Sequence, residues 1–178
     1  MAHQPIRLLE LSVPEAGRIC SAVRAGVAAG VQNVDLAPGS WPPLVLADDL
    51  VRRVKAGEAD AFWLLPKVFA RGSVGVGSGG FLGPPDASGR VEIGYHVAPA
   101  YRRQGIATEA VPQLVALAQA RPSVRHIVAR STVGNVASSR VLRTNGFRAA
   151  GQYVDSEDGP MHWWVLEPER PDHPQRTT

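Results

Sequence analysis

Residues 91–117, VEIGYHVAPAYRRQGIATEAVPQLVAL, decide the fold. Residues 90–97 have the composition and alternation of a β-strand, and a short turn containing Pro99 follows them. After Gly105 the apolar residues recur about one helical turn apart, which predicts a helix, at Ile106, Ala110, Leu114 and Leu117. The stretch is therefore predicted to form a strand, a turn and a helix, with a glycine where the helix begins.

This turn has the features of an anion-binding loop. The first N–H groups of a helix have no acceptor within the helix, and the helix dipole favours negative charge beside them. Gly105 has no Cβ to block a ligand, and the small Ala107 keeps the same side clear. Arg102 and Arg103 can add fork-shaped contacts to phosphate oxygens. These residues predict a phosphate-containing ligand, and the alternative is a solvated charged surface.

Strands and helices are predicted on both sides of this stretch. Those upstream are a strand at 6–11, a helix from Pro14 that includes Val27, a loop at 31–43, a helix at 46–56, and strands at 60–69 and 73–82. Those downstream are a strand at 124–130, a helix at 136–144, and strands at 146–153 and 161–166. This order favours an α+β (mixed α/β) fold. Pro112 is predicted to kink the helix after Gly105 or to end its first segment.

Length and composition fit one globular domain. The chain has 178 residues, of which 44% are hydrophobic and 20% charged. We expect a single domain over residues 5–168 and a flexible tail at 169–178. These values disfavour intrinsic disorder, a collagen-like repeat and a disulfide-linked scaffold. Cys20 is the single cysteine, so it forms no internal disulfide and is predicted to be a small core residue.

Positive charge is concentrated in one part of the sequence. Residues 102–148 contain eight Arg and one acidic residue, Glu109, whereas the formal net charge of the chain is +3. Because Arg makes fixed, fork-shaped contacts to phosphates, this block favours an anionic ligand. Nucleic acid is not expected, since the block contains no aromatic residue besides His126 and Phe147.

Three further kinds of site are not expected. Residues 75–80, GVGSGG, match G-x-G-x-x-G, but Pro84 and Pro85 follow where a dinucleotide site needs a helix. A glycine-rich strand that another backbone or a ligand approaches closely is predicted instead. The His residues show no metal-ligand spacing, so no metal is expected. The chain has no signal pattern and no apolar run near the roughly 18 residues of a membrane span, so we expect a cytoplasmic protein without membrane contact.

Two motifs together resemble those of the GNAT N-acetyltransferases. The first is R-x-x-G-x-A at 102–107, between an E-x-G-Y strand at 92–95 and the Thr-Glu-Ala helix start at 108–110. The second is N-x-x-S at 135–138, followed by Gly-Phe at 146–147. The pattern is most similar to the branch that includes ribosomal-protein N-terminal acetyltransferases. This resemblance implies a central twisted mixed sheet of about six to seven strands, flanked by helices, with two strands splayed at the cofactor cleft.

The resemblance also implies that the co-substrate is acetyl-CoA and assigns its contacts. The loop residues expected at the pyrophosphate are Arg102, Arg103, Gln104, Gly105, Ile106, Ala107 and Thr108. The backbone near His96 and Val97 is expected beside pantetheine, where an N–H group can polarise the thioester carbonyl. Asn135 is expected to bind the pantetheine arm, and Ser138 to lie near the sulfur.

In the implied reaction a neutral amine attacks acetyl-CoA directly in a ternary complex. Ser138 is expected to donate a proton to the departing thiolate, because Leu142 stands where many family members carry a Tyr. Glu92 is expected to help the amine lose its proton. Two plainer interpretations stay open: Glu92 paired with an Arg, and Ser138 capping its own helix.

The acceptor is expected to be a primary amine, of a protein N-terminus or of a small molecule. The residues expected near it are Trp41, Tyr153, Asp155 and His162, each of which also suits packing or an acidic turn. A homodimer is left open. The alternative function is a non-catalytic CoA-binding module used for sensing or assembly, and Leu142 is the feature that leaves room for it.

Overall fold

An open mixed sheet runs through residues 4–166, the part of the chain that the computed structural model describes. Its strands are β1 (Ile6–Leu9), β2 (Gly30–Val31), β3 (Val34–Leu36), β4 (Lys67–Arg71), β5 (Val74–Phe81), β6 (Arg90–Val97), β7 (His126–Thr132), β8 (Arg148–Asp155) and β9 (Gly159–Leu166). The helices are α1 (Val13–Arg24), α2 (Leu44–Lys55), α3 (Ala61–Leu64), α4 (Ile106–Gln119) and α5 (Val136–Thr144), with a 3-10 turn over Pro99–Tyr101.

Seven strands follow one another across the sheet in the order β1-β4-β5-β6-β7-β9-β8. The β2–β3 hairpin joins this sheet where β3 runs parallel to β5. Helices cover both faces: Val68 of β4 belongs to the core beneath α1 and α2, and its neighbour Phe69 packs with α4. The expected α+β fold, with a mixed sheet flanked by helices, is confirmed.

β6 and β7 separate at one end. They pair in parallel only between Arg90–Ile93 and His126–Ala129. Beyond Ile93, residues 94–97 of β6 stay paired with β5 on their other side. The expected splay of two strands is therefore confirmed, and it lies at the end of β6 that leads into α4.

Two upstream segments differ from their predictions. The predicted loop at 31–43 contains the β2–β3 hairpin, because Gln32 and Asn33 adopt positive φ angles of 51° and 62°, as a tight two-residue hairpin turn requires. The predicted strand at 60–69 begins instead as α3, because Asp60 Oδ1 accepts a hydrogen bond from the Phe62 N–H over 2.7 Å and caps a helical turn.

α4 does not end at Pro112. The helix continues for two turns beyond this residue, to Gln119. A proline removes one hydrogen bond from a helix, but the residues around this one are fully buried against the sheet, namely Ala110, Val111 and Leu114. Packing of that apolar face therefore holds the helix together across the proline.

The G-x-G-x-x-G segment lies within β5 and not at the start of a helix. A Cβ on Gly77 would lie 2.5 Å from the carbonyl oxygen of His96, and one on Gly79 would lie 2.7 Å from that of Gly94. The predicted close approach of another backbone is confirmed. Cys20 is 3% exposed within the core beneath α1 and α2, as predicted.

Helices of the described residues are too short or too polar to cross a membrane. The flexible tail predicted at 169–178 lies outside the described residues, and so does the predicted domain boundary at 168. Both stay predictions.

Candidate active site

The loop between β6 and α4 contains two residues with left-handed backbone. Arg103 has a φ of 63°, and Gly105, the N-cap of α4, has a φ of 77°. Among the described residues no side chain caps α4, and the first N–H group of the helix with a backbone acceptor is that of Glu109, which donates to the Gly105 carbonyl over 3.0 Å. The N–H groups of the first turn are therefore available to an anion.

The loop also has room for a ligand. A Cβ added at Gly105 would meet nothing nearer than Glu109 Oε1 at 3.9 Å, so the space beside the glycine is open. Arg102 and Arg103 are exposed next to it, and the Nε–H of Arg102 donates to the Val97 carbonyl over 3.2 Å. Backbone donors and two cations beside an open glycine fit a diphosphate group, such as that of CoA.

Arg71, the last residue of β4, holds this loop in place. Its Nη1–H donates to Gln104 Oε1 over 2.8 Å, and its Nη2–H donates to the Gln104 carbonyl over 3.3 Å. Gln104 in turn donates its Nε2–H to the Ala100 carbonyl over 3.3 Å. The Gln104 side chain therefore binds the protein. Arg71 was not predicted as a site residue, because no local pattern connects it with a loop 33 positions away.

The residues expected at pantetheine lie on the two elements that border the splay. His96 and Val97 are on β6 beyond its pairing with β7, and Asn135 and Ser138 are at the start of α5, which follows β7. Asn135 Oδ1 accepts the Ser138 N–H over 3.0 Å and so caps α5. The cap of this helix is thus Asn135, and the Ser138 hydroxyl is left for another partner.

That partner is Tyr95 of β6. Its Oη lies 2.9 Å from Ser138 Oγ and 3.4 Å from the Ser138 carbonyl oxygen. Both residues are half-buried, and burial raises the pKa of the Tyr95 phenol above its ordinary value. Leu142, which stands where many family members carry a Tyr, is fully buried in the core beside α4. Tyr95 was not predicted as a site residue, although it stands in the E-x-G-Y motif.

Glu92, Arg130, Tyr153 and Asp155 form a second group of polar side chains, here called the Arg130 cluster. The Nε–H of Arg130 donates to Glu92 Oε1 over 2.5 Å and its Nη1–H donates to Tyr153 Oη over 3.3 Å, while Nη1 lies 3.9 Å from Asp155 Oδ2. The bond to Glu92 raises the pKa of Arg130, so this residue stays a cation. Glu92 is therefore paired with an Arg, and its role as a base stays a prediction.

The other residues expected at the acceptor lie apart from the Arg130 cluster. Trp41 is 7% exposed and packs in the core beneath α1 and α2. The His162 ring lies 5.9 Å from that of Trp164, a core residue on the α4 and α5 face, whereas the Tyr153 ring lies 6.5 Å from that of Trp163. Because successive residues of a strand point to opposite faces, His162 and Tyr153 lie on opposite sides of the sheet.

The His96 side chain is held within the protein. Its Nδ1 lies 3.4 Å from Ser78 Oγ, and its ring lies against the backbone of residues 39–41. Burial lowers the pKa of His96, which favours the neutral ring. The contact expected of this residue with pantetheine is one of the backbone and does not involve the ring.

No group of three or more His, Cys, Asp or Glu side chains that could hold a metal ion occurs in the described part of the chain.

Known proteins share both the sequence pattern and the fold. The profile of the Acetyltransferase (GNAT) domain family matches residues 32–148. YjdG of Bacillus subtilis (strain 168), named an uncharacterized N-acetyltransferase, is 40% identical over 72 residues, which cover 40% of this chain and 43% of that protein. The match thus spans less than half of the relative's length.

Two solved structures illustrate the shared fold. Mycobacterium smegmatis RimJ in complex with CoA-disulfide superposes with a TM-score of 0.63 at 22% identity, over 92% of this chain and 82% of RimJ. Salmonella typhimurium yncA with its cofactor acetyl-CoA superposes with a TM-score of 0.64 at 18% identity, over 99% of this chain and 100% of yncA.

The family profile covers well over half of the chain, and it includes both the loop before α4 and the start of α5. The open backbone donors beside Gly105 and the splay of β6 from β7 both lie within the matched residues. The chain therefore belongs to the GNAT acetyltransferase family.

Proposed function

We propose that this protein transfers the acetyl group of acetyl-CoA to a primary amine, by direct attack in a ternary complex. The observation that carries the proposal is the splay of β6 from β7. The uncapped start of α4 follows β6, and the Tyr95–Ser138 pair joins β6 to α5, which follows β7. Acetyl-CoA supplies an activated acetyl group as a thioester. The remaining work of the protein is to hold it, to admit an amine and to move two protons.

On the co-substrate side, the backbone of residues 103–108 holds the pyrophosphate, with Arg102 and Arg103 as additional cations. The support for this role is the left-handed Gly105 with open space beside it. His96 and Val97 present backbone to the pantetheine arm, and Asn135 contributes its side-chain amide. The fixed position of Asn135 at the start of α5 supports this assignment.

On the acceptor side, the Arg130 cluster receives the amine. Glu92 and Asp155 supply carboxylate oxygens near the splay, and carboxylates attract a cationic ammonium group. Asp155 stays ionised because backbone N–H groups of Glu157 and Asp158 lower its pKa. Glu92 takes the proton that the ammonium group must lose before its nitrogen can attack. Trp41 and His162 take no direct part in this arrangement.

The acceptor itself is either a protein N-terminus or a small-molecule amine. The test measures release of the CoA thiol with a panel of small amines and of peptides with Ala, Ser or Met at the N-terminus. Saturable thiol release with matching acetylation of one class, seen by mass spectrometry, supports the proposal. If acetyl-CoA stabilises the protein but no amine releases thiol, the chain is the CoA-binding module, and the proposal is wrong.

A further inference from the structure

Tyr95 occupies an unusual position in the site. It lies two residues beyond Ile93, where β6 has already left β7, and its hydroxyl reaches α5, which follows β7 in the chain. The Tyr95 Oη–Ser138 Oγ distance of 2.9 Å is that of a good O–H···O hydrogen bond. The phenol therefore spans the opening between the two strands and ends at the residue expected beside the sulfur.

The acidity of the two hydroxyl groups differs greatly. The thiol that leaves in acetyl transfer has an ordinary pKa of about 8.5 and a phenol one of about 10. Burial raises the pKa of Tyr95, so its hydroxyl keeps the proton that it can donate. An aliphatic alcohol such as Ser138 is a far weaker acid than a phenol. Ser138 alone is thus a poor proton donor, whereas a phenol hydrogen-bonded to it polarises its hydroxyl and can replace the proton that it gives up.

We propose that Tyr95 is a positioning and proton-supplying residue that acts through Ser138 on the departing thiolate of CoA. This inference rests on the acetyl transfer proposed above. The amine nitrogen forms a bond to the acetyl carbon, and the C–S bonding pair moves to sulfur. Sulfur takes the proton of Ser138 Oγ, and Ser138 takes the proton of Tyr95 Oη. The phenolate regains a proton from solvent once CoA has left, and the proton lost by the amine goes to solvent by way of its base.

The simpler role for Tyr95 is a structural one, since its ring also packs with the cores on the α4 face. The substitution Tyr95→Phe keeps the ring and removes the hydroxyl alone. Tyr101→Phe is the matched control, because Tyr101 is a half-buried tyrosine of the same core that does not contact Ser138. If the phenol supplies the proton, Tyr95→Phe lowers kcat by roughly 10²-fold with little change in the KM for acetyl-CoA.

A double-variant comparison separates a relay from two independent effects. In a relay Tyr95→Phe and Ser138→Ala interrupt the same path, so the double variant is no slower than the slower single variant. Multiplied losses of kcat in the double variant would overturn the proposal, as would a Tyr95→Phe variant with the kcat of the wild type.

A binding measurement tests the same contact without any acceptor amine. The relay donates a hydrogen bond to a thiolate, so wild-type protein binds CoA progressively better than acetyl-CoA as the pH rises through the range where the thiol ionises. We expect the ratio of the two affinities to rise about tenfold in the wild type between about pH 7 and 10, and less than about twofold in Tyr95→Phe. Equal rises in both proteins would overturn the proposal. If no amine supports turnover, the proposed acetyl transfer is wrong, but the ratio of the two affinities still tests whether the Tyr95 hydroxyl acts on the thiolate through Ser138.

Discussion

Arg130 of β7 donates its Nε–H to Oε1 of Glu92 on β6 over 2.5 Å, beside the point where the two strands part. The same guanidinium group also contacts the Tyr153 hydroxyl. One cation therefore fixes a carboxylate from the centre of the sheet and a phenol from the edge strand β8, and so joins the elements that are expected to receive the acceptor.

Replacing Glu92 tests its expected role as the base. Glu92→Gln keeps the shape of the side chain and removes its capacity to take a proton, so kcat is expected to fall by roughly 10²- to 10³-fold while acetyl-CoA still binds. The control is Glu58→Gln, because Glu58 is also paired with arginines, Arg52 and Arg53, but lies on the surface after α2. An undiminished kcat in Glu92→Gln would show that this ion pair is only structural.

A side chain at Gly105 is expected to abolish binding of acetyl-CoA. Gly105→Glu places a carboxylate in the open space of the loop, strains a backbone at φ 77° and repels the diphosphate. The measurement is the melting temperature with and without acetyl-CoA, and NADH is expected to cause no shift in the wild type. The control is Gly57→Glu, after α2. Gly57 has a φ of 72°, so the backbone strain is similar, and a Cβ added there would meet nothing within 4 Å. Retention of the shift in Gly105→Glu would contradict the loop assignment.

Removal of Arg71 is expected to weaken acetyl-CoA binding without blocking it. Arg71→Met leaves Gln104 without the two hydrogen bonds that order the loop, so the Kd should rise about tenfold, the effect of one lost charged hydrogen bond. Isothermal titration calorimetry measures it. Arg7→Met removes a comparable arginine contact, to the Gly72 carbonyl in the turn between β4 and β5, and should leave the Kd unchanged. Equal effects of both substitutions would mean that the loop needs no such support.

The buried Lys67 is expected to make stability depend on pH. Burial lowers its pKa from 10.5 to about 8, and its ammonium group donates to the Phe62 and Leu65 carbonyls between the rings of Phe62 and Phe81. Between these two pKa values the unfolded chain holds a proton that the folded chain has released. The free energy of unfolding therefore rises with pH across this window, by up to about 3 kcal/mol from Lys67 alone.

Urea unfolding of the wild type and of Lys67→Met at a series of pH values isolates this contribution, because the other titrating groups are common to both proteins. The difference in unfolding free energy should grow in favour of the wild type as the pH rises from about 8 to about 10. The exposed Lys55→Met is the control. Parallel curves for the wild type and Lys67→Met would mean that Lys67 titrates alike in both states.

Local patterns in the sequence were sufficient for the elements that frame the site. The strand at Arg90–Val97 and the helix at Val136–Thr144 have the bounds that alternation and helical spacing predicted, and the helix after Gly105 begins where it was predicted. In each case the pattern that predicts the element lies within a few residues along the chain.

The contacts within the site were less accessible to prediction. Tyr95 meets Ser138 across 43 positions of sequence and Arg71 meets Gln104 across 33, and neither pairing follows from periodicity. The short α3 was mistaken for a strand because the apolar residues after Asp60 suit either structure, and only its cap decides between them. Such features depend on how separate segments fold against one another.

The close packing around β5 has a consequence for how a map of tolerated substitutions should be interpreted. Alanine at Gly77 or Gly79 collides with a neighbouring backbone, whereas a Cβ at Gly80 would meet its nearest atom at 3.5 Å, an ordinary contact. A saturation screen should therefore find Gly77 and Gly79 intolerant and Gly80 permissive. A nucleotide fingerprint would need Gly80 and would not need Gly79, so the reverse pattern of tolerance would mark this motif as a feature of sheet architecture that only resembles a binding signature.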